Sequence, residues 1–433
     1  NLLEIRERSL SVNMRLALSD AYGVDWRDLI KDESAILLAD LRGVVQDPIF
    51  GPSAPDLQEL RSAIDHAPAL VGQFLHLYRS HRAAVEKMMR LGSEGMPENL
   101  LSSSPETIIH DFFRDHENYF EELESAASDL RSVESCDVDD VYAVLKSRLK
   151  RVHGITVRTA PVEEMSQALR IYDEAGKVVH LSEALDHQNR VFQLAHVLCL
   201  VELPALLQRL TDGSDIRSET GVARCHVELA NYFAAAFLMP YAAFRAAAER
   251  TRYDVDCIAA AFGVSFEQVC HRLTTLQREG ARGVPFFFLR VDKAGNVTKR
   301  FNATSFNLAE YGGACPVWNI HTSFRTPGVI VPQFVELPDG ERFFTISRTT
   351  ERPVFSRETQ DRRLALSLGC ELRHAHRLAY AAPFNTEDSN LFSPIGINCH
   401  LCPRQACSQR AHQPLFTELP IDTKRRGNTR YES

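Results

Sequence analysis

Cys399-His-Leu-Cys402-Pro-Arg-Gln-Ala-Cys407 is the stretch that most constrains this chain, because its C-x2-C-x4-C spacing crowds cysteines into one short loop. Two thiols separated by two residues can face one metal, and a third a short step later can close over it. Thiolates suit zinc or an iron–sulfur cluster. A lone cysteine is usually a small apolar core residue, but a C-x2-C pair followed by Pro403 and Gln405 is not a core pattern. The motif predicts a bound metal with one further ligand supplied from elsewhere in the chain.

At 433 residues the chain has room for roughly two to four domains. Its 44% hydrophobic and 24% charged content supports a sizeable core and excludes general disorder. Ten cysteines over this length are too sparse for a disulfide scaffold, so a reducing compartment with metal-ligating thiols is expected. The longest apolar runs, such as Ala234 to Leu238 and Pro285 to Leu289, are far shorter than a membrane span, and no charged-then-apolar leader opens the sequence. A cytoplasmic protein with no membrane partner follows. The net charge of −8 argues against nucleic acid binding over the whole surface.

Residues 1–150 are helical in period, as in Ala35 to Leu41 and Ala69 to Tyr78, and predict a scaffold or dimerisation region. From Val152 the pattern alternates, and Leu169 to Leu181 predicts two strands joined at Glu174-Ala-Gly176. Apolar helices are expected around Val191 to Leu200 and Val227 to Leu238. Residues 251–283 hold Ala259-Ala-x-Phe-Gly263-Val-Ser265, a helix-turn-helix-like step whose few basic residues favour packing over DNA contact. Residues 284–390 carry two hairpins with turns at Ala294-Gly-Asn296 and Pro338-Asp-Gly340. An antiparallel sheet with a helix from Asp361 to Tyr380 against it is the make-up of GAF- or PAS-like sensor domains, which hold ligands in the cup of the sheet. The fold class is α+β, ending in a cysteine segment over 391–433.

Phe192-x-Leu-Ala-His196 on one helix and Glu228-x-Ala-Asn-x-Phe-Ala-Ala-x-x-Leu-Met-Pro240 on the next make residues 151–250 resemble the ImmA/IrrE family of zinc-peptidase-like domains. Those peptidases carry H-E-x-x-H, in which two histidines one turn apart bind zinc and the glutamate activates water. His196 matches the first histidine and Glu228 the usual third ligand, but Val197 replaces the glutamate and Leu200 the second histidine. The resemblance therefore implies a degenerate domain that has kept the fold and lost the peptidase chemistry, so that the chain is not an enzyme and His196 is a buried, satisfied histidine.

Adding Asp111-Phe-Phe-Arg, Cys315-Pro-x-Trp318, Gly369-Cys-Glu-x-x-His-Ala375 and the final cysteine cluster, nearly the whole chain resembles the short-chain fatty acyl transcriptional regulators. That resemblance implies a sensor for short-chain acyl-CoA or CoA carrying an iron–sulfur cluster of the 4Fe-4S type. It also implies operator DNA as a partner through an N-terminal helix-turn-helix that is not evident in this chain, and a homodimer or higher homo-oligomer. The cluster ligands are expected to be Cys399, Cys402 and Cys407 with Cys370 as the fourth, Cys315 being the alternative. The ligand is expected near His196, Tyr232 and Phe233, or in the cup of the sheet, with Arg170 and Arg325 as phosphate contacts. The rival readings are a zinc peptidase of the ImmA/IrrE type and a zinc-stabilised scaffold in which His400 or His412 completes the site.

Overall fold

The computed structural model describes residues 33–45, 47, 55–90, 105–134, 140–216, 218–306, 314–351 and 363–414, with a few isolated positions beyond. The chain divides into two compact units, one of residues 1–103 with 414–419, the other of residues 104–413 with 420–433.

In the smaller unit α1 (Glu33–Val45), α2 (Leu57–His66) and α3 (Pro68–Arg90) close over Leu41, Val44, Leu60, Ile64, Val71 and Leu75. A capping box starts α2: the Asp56 carboxylate accepts from the Glu59 amide at 2.8 Å and the Glu59 carboxylate accepts from the Asp56 amide at 2.9 Å. Here the helical period of the sequence is borne out.

The larger unit begins well before residue 150. Its first helices, α4 (Pro105–Asp115), α5 (Glu121–Glu134) and α6 (Val141–His153), bury Phe113, Leu123, Ala127, Leu145 and Leu149 in the main core, so the division falls near 103. Periodicity alone cannot assign a helix to one unit or another. A small sheet follows, of β1 (Thr156–Ala160), β2 (Arg170–Asp173) and β3 (Val178–Ser182) in the order β1-β3-β2, with α7 (Val162–Met165) between β1 and β2. Strands β2 and β3 pair antiparallel across the expected turn, and β1 lies parallel to β3.

Next come α8 (His187–Glu202), α9 (Pro204–Thr211), α10 (Glu219–Leu238), α11 (Tyr241–Arg250), α12 (Val255–Phe262) and α13 (Phe266–Leu273). Asp186 caps α8 by accepting from the Asn189 amide at 2.7 Å. Gly263, at φ 62, ends α12 in the left-handed conformation that the helix-turn-helix-like step demands. Helix α13 is buried from Gln268 to Leu273, so it packs into the core.

The second sheet runs in the order β5-β4-β8-β7-β6-β9, comprising β4 (Phe287–Val291), β5 (Val297–Asn302), β6 (Val331–Glu336), β7 (Arg342–Thr350), β8 (Leu364–Glu371) and β9 (Phe392–Pro394). Both expected hairpins form, β4 with β5 and β6 with β7, and only β9 pairs parallel to its neighbour. The helix expected over Asp361 to Tyr380 is not there. Its described part is the central strand β8, followed by the single turn α14 (Leu372–Ala375). The strand is covered on both faces, so its apolar run loses the period of two that marks a half-exposed strand.

Arg272 on α13 is fully buried and binds Glu124 on α5 through two nitrogens, at 2.6 and 2.9 Å, while its Nε donates to the Met239 carbonyl at 3.1 Å. The Tyr232 hydroxyl donates to the same carboxylate at 2.7 Å, and the rings of Tyr232, Tyr241 and Phe244 surround the guanidinium. Burial alone would lower the Arg272 pKa, and the Glu124 carboxylate more than reverses it. Removing one member leaves a buried charge uncompensated. Arg272→Met is expected to cost about 3–5 kcal/mol in urea unfolding, and adding Glu124→Leu should recover most of that loss. A double variant no more stable than the single would show that the pair's charge balance is not what the fold needs.

Candidate functional site

Helices α8 and α10 lie side by side in the larger unit and present the positions where a zinc peptidase would gather its ligands. His196 on α8 is 3% exposed, and its Nδ1 accepts from Arg170 Nη1 at 2.7 Å. Burial, reinforced by the Arg170 charge, pushes its pKa down to about 4. The ring is neutral, and its Nδ1 is taken up by Arg170. The next residue, Val197, is buried, and one turn on Leu200 packs against the core.

Glu228 on α10 is held by a protein cation where a metal might have been. Lys299, from β5, donates to it at 3.1 Å and Asn231 at 3.3 Å. Burial works to raise the Glu228 carboxyl, but the Lys299 ammonium, with His271 and Asn231, outweighs it and holds the pKa at about 2. His271 on α13 is buried against Phe301, ring centroids 4.3 Å apart, with Nε2 unpartnered and its pKa pushed down by burial to about 3. Lys299 and His271 escaped the sequence reading, since Lys299 meets Glu228, 71 positions away, only in the folded chain.

The other residues expected to line a ligand site separate. Arg170 stays beside His196, half-buried; burial alone lowers its pKa, and no carboxylate pairs with it among the described residues. Tyr232 is 1% exposed and committed to Glu124, and Phe233 is wholly buried, so both are corrected to core residues. Arg325 is exposed beyond a 3-10 turn, and its side chain makes no hydrogen bond or ion pair among the described residues, which corrects it to a surface charge. One face of the large sheet is filled by Phe287, Phe306, Trp318 and Phe343, with Phe287 and Phe306 stacked at 4.1 Å. The other packs on the helical core.

Cys399 and Cys402 lie nearer to Cys315, the alternative fourth thiol, than to Cys370. Along β8, Leu366, Leu368 and Cys370 face the main helical core, with Cys370 opposite Phe344. Cys315 belongs with Ala365, Phe343 and Ile395 on the other face. Alternate strand residues point to opposite faces, so Cys370 is corrected to a buried core thiol on the far side of the sheet from Cys315. The Cys315 sulfur accepts the Gly396 amide at 3.4 Å. Its pKa is raised by burial, countered by the Gly396 and Val317 amides, and raised further by Cys402 and Cys399. A Cβ on Gly396 would meet the Cys402 sulfur at 2.6 Å, so only glycine lets that thiol approach.

Arg410 fixes the loop from within. Its guanidinium donates to the carbonyls of Cys399 at 3.2 Å, Cys402 at 3.4 Å and Arg404, and its amide to that of Cys407 at 3.3 Å. Arg404 ties the loop to the sheet through the carbonyls of Glu336 at 2.7 Å and Ile395 at 3.2 Å. His400 and His412 stack at 4.5 Å. Among the described residues no three or more His, Cys, Asp or Glu side chains are already drawn together to hold a metal ion. A buried thiol, a glycine cradle, an orphaned Arg410 Nε and four thiols from two loops nonetheless suit a thiolate-bound metal.

Fold and site together define an ImmA/IrrE-like domain stripped of its catalytic pair, joined to an antiparallel-sheet domain with a cysteine segment. The sequence matches the IrrE N-terminal-like domain over residues 150–274 and the C-terminal domain of the short-chain fatty acyl coenzyme A regulators over 275–431. The chain belongs to that family of transcriptional regulators. It is 39% identical to the propionyl-CoA carboxylase regulator of Cereibacter sphaeroides, the match covering 100% of this chain and 92% of that protein. It is 34% identical to the HTH-type transcriptional regulator PrpR of Mycobacterium tuberculosis, over 100% of this chain and 89% of that protein. A solved Mycobacterium tuberculosis transcriptional regulator superposes with a TM-score of 0.72 at 36% identity, covering 76% of this chain and all (100%) of that one. Among the described residues no single helix is long and apolar enough to cross a membrane.

The buried histidines make stability depend on pH. His196 and His271 are held near 4 and 3 in the folded chain, against about 6.5 when unfolded. Their contribution is complete above the unfolded value and is lost as pH falls below it, because the unfolded chain then binds more protons. Urea midpoints should fall from about pH 7 to about pH 5, and His271→Phe should shrink that fall by about 2 kcal/mol. An unchanged pH dependence in the variant would mean that His271 is not held neutral.

Proposed function

We propose that this chain is the ligand-sensing core of a cytoplasmic transcriptional regulator that responds to short-chain acyl-CoA or CoA and governs genes of propionate or fatty acyl catabolism. The observation that carries this reading is Arg170. It is a half-buried cation beside His196 with no carboxylate partner among the described residues, in a domain that has lost its second metal-binding histidine and its general base. A guanidinium so placed suits the phosphates of an anionic ligand. Family membership supplies the chemical class, and the names of the relatives point to operator DNA as the macromolecular partner. Ligand binding in the degenerate domain shifts the population of arrangements of the helices packed on it, and through them the affinity for DNA. A homodimer matches a two-fold operator.

The same reading includes a 4Fe-4S cluster held by Cys315, Cys399, Cys402 and Cys407. When bound, such a cluster supplies a redox-active crosslink between the loop carrying Cys315 and the C-terminal segment. The chain's own part is to bring the thiols to one side of the sheet and to offer backbone amides to the Cys315 sulfur. The loss of the general base at Val197 and the second histidine at Leu200 supports a non-enzymatic role.

Calorimetric titration with propionyl-CoA tests the ligand site: Arg170→Met should weaken binding by roughly 10- to 100-fold, as expected for a charge-assisted contact, with little change in thermal midpoint. Wild-type affinity in the variant would move the site elsewhere, and absence of binding by the wild type would end the acyl-CoA reading. Iron and zinc counts on anaerobically purified variants test the thiols. Cys315→Ser should lose the metal and Cys370→Ala should keep it, and the reverse outcome would restore Cys370 as the ligand.

A further inference from the structure

Arg410 is 4% exposed. Every donor bond its guanidinium makes among the described residues goes to a neutral carbonyl: Cys399 at 3.2 Å, Cys402 and His412 at 3.4 Å each, and Arg404. Its Nε is buried with no hydrogen-bond partner among the described residues. No carboxylate pairs with it among the described residues, whereas the other deeply buried arginine, Arg272, has Glu124. Carbonyl dipoles solvate a guanidinium only in part, and a buried charge without its opposite is strongly unfavourable. A loop built to enclose such a cation fits one in which negative charge is also enclosed. Cys399 and Cys402, whose own carbonyls Arg410 holds, carry thiols that would supply such charge as thiolates. Four thiolates around zinc or around an iron–sulfur cubane leave a net negative centre.

We propose that Arg410 is the internal counter-ion of the metal–thiolate centre formed by Cys315, Cys399, Cys402 and Cys407, clamping the ligand loop through its carbonyls while offsetting the charge of the loaded site. This rests on the metal reading given above and assigns a role to a residue outside the ligand set. It is a positioning residue, since it reaches the ligands' backbone. Its charge stabilises the loaded state over the metal-free one, and in an iron–sulfur form it stabilises the reduced state, which is the more negative.

The test uses the full chain, purified anaerobically as wild type, Arg410→Met and Arg410→Lys. Each is challenged with a chelator, and its thermal midpoint is measured with metal bound and after metal removal. Arg410→Met is expected to release metal about 10- to 100-fold more readily, the usual scale for a group supporting metal ligands. Arg410→Lys, which keeps the charge without the fork, should recover part of that. In the metal-free chain Arg410→Met should be as stable as wild type or more so, because an unpaired buried charge has gone. In the loaded chain it should be less stable. If the bound metal is an iron–sulfur cluster, its reduction potential should be lower in Arg410→Met. Equal destabilisation of the loaded and metal-free chains, with wild-type metal retention, would make Arg410 a plain loop brace and overturn the proposal. A wild type that holds no metal under these conditions would overturn both this proposal and the metal reading beneath it.

Discussion

The buried pair of Arg272 and Glu124 is the interaction on which the larger unit depends. It joins residues 148 positions apart, and with Tyr232 it fastens α5, α10 and α13 at one point. A guanidinium at 0% exposure is tolerable only because two carboxylate oxygens, a main-chain carbonyl and three aromatic faces meet it together. Geometry this demanding selects one arrangement of those helices. It also means that a change at α10 is felt at α5. Tyr232 sits on the helix that carries Glu228, and it donates to the carboxylate that anchors α5.

The former peptidase centre shows how a metal site can close without collapsing. Zinc would satisfy a buried histidine and glutamate at once. Here Arg170 and Lys299 do that separately, leaving a neutral imidazole and an ionised carboxylate that are each satisfied. Two protein cations cannot polarise a water as a metal with an open position does. Arg170 lacks a carboxylate partner among the described residues, and on the function proposed above it is the member that takes an anion.

Much of this was legible in the sequence, and the failures share a cause. The hairpins at Ala294-Gly-Asn296 and Pro338-Asp-Gly340 were readable because turn chemistry is local, and the degenerate centre because His196, Val197, Leu200 and Glu228 stand at fixed spacings. Strand β8 reads as helix in the sequence because burial on both faces erases alternation, and a helix reading hides the parity that separates Cys370 from Cys315. Once β8 is a strand, parity puts Cys370 on the helical face and leaves Cys315 with the cysteine segment. Tyr232 was misjudged because its partner, Glu124, lies 108 positions away. Lys299 and Arg410 carried no local signal, since each takes its meaning from a partner brought in by tertiary packing.

The central claim is that a ligand in the degenerate domain is coupled to the helices packed on it through α10 and the Glu124–Arg272 anchor. Hydrogen–deuterium exchange of the full chain with and without saturating propionyl-CoA tests it directly. The account predicts slower exchange around Arg170 and along α8 and α10, extending into α5 at residues 121–134. Ligand binding that leaves both the α8–α10 pair and α5 unchanged would contradict it.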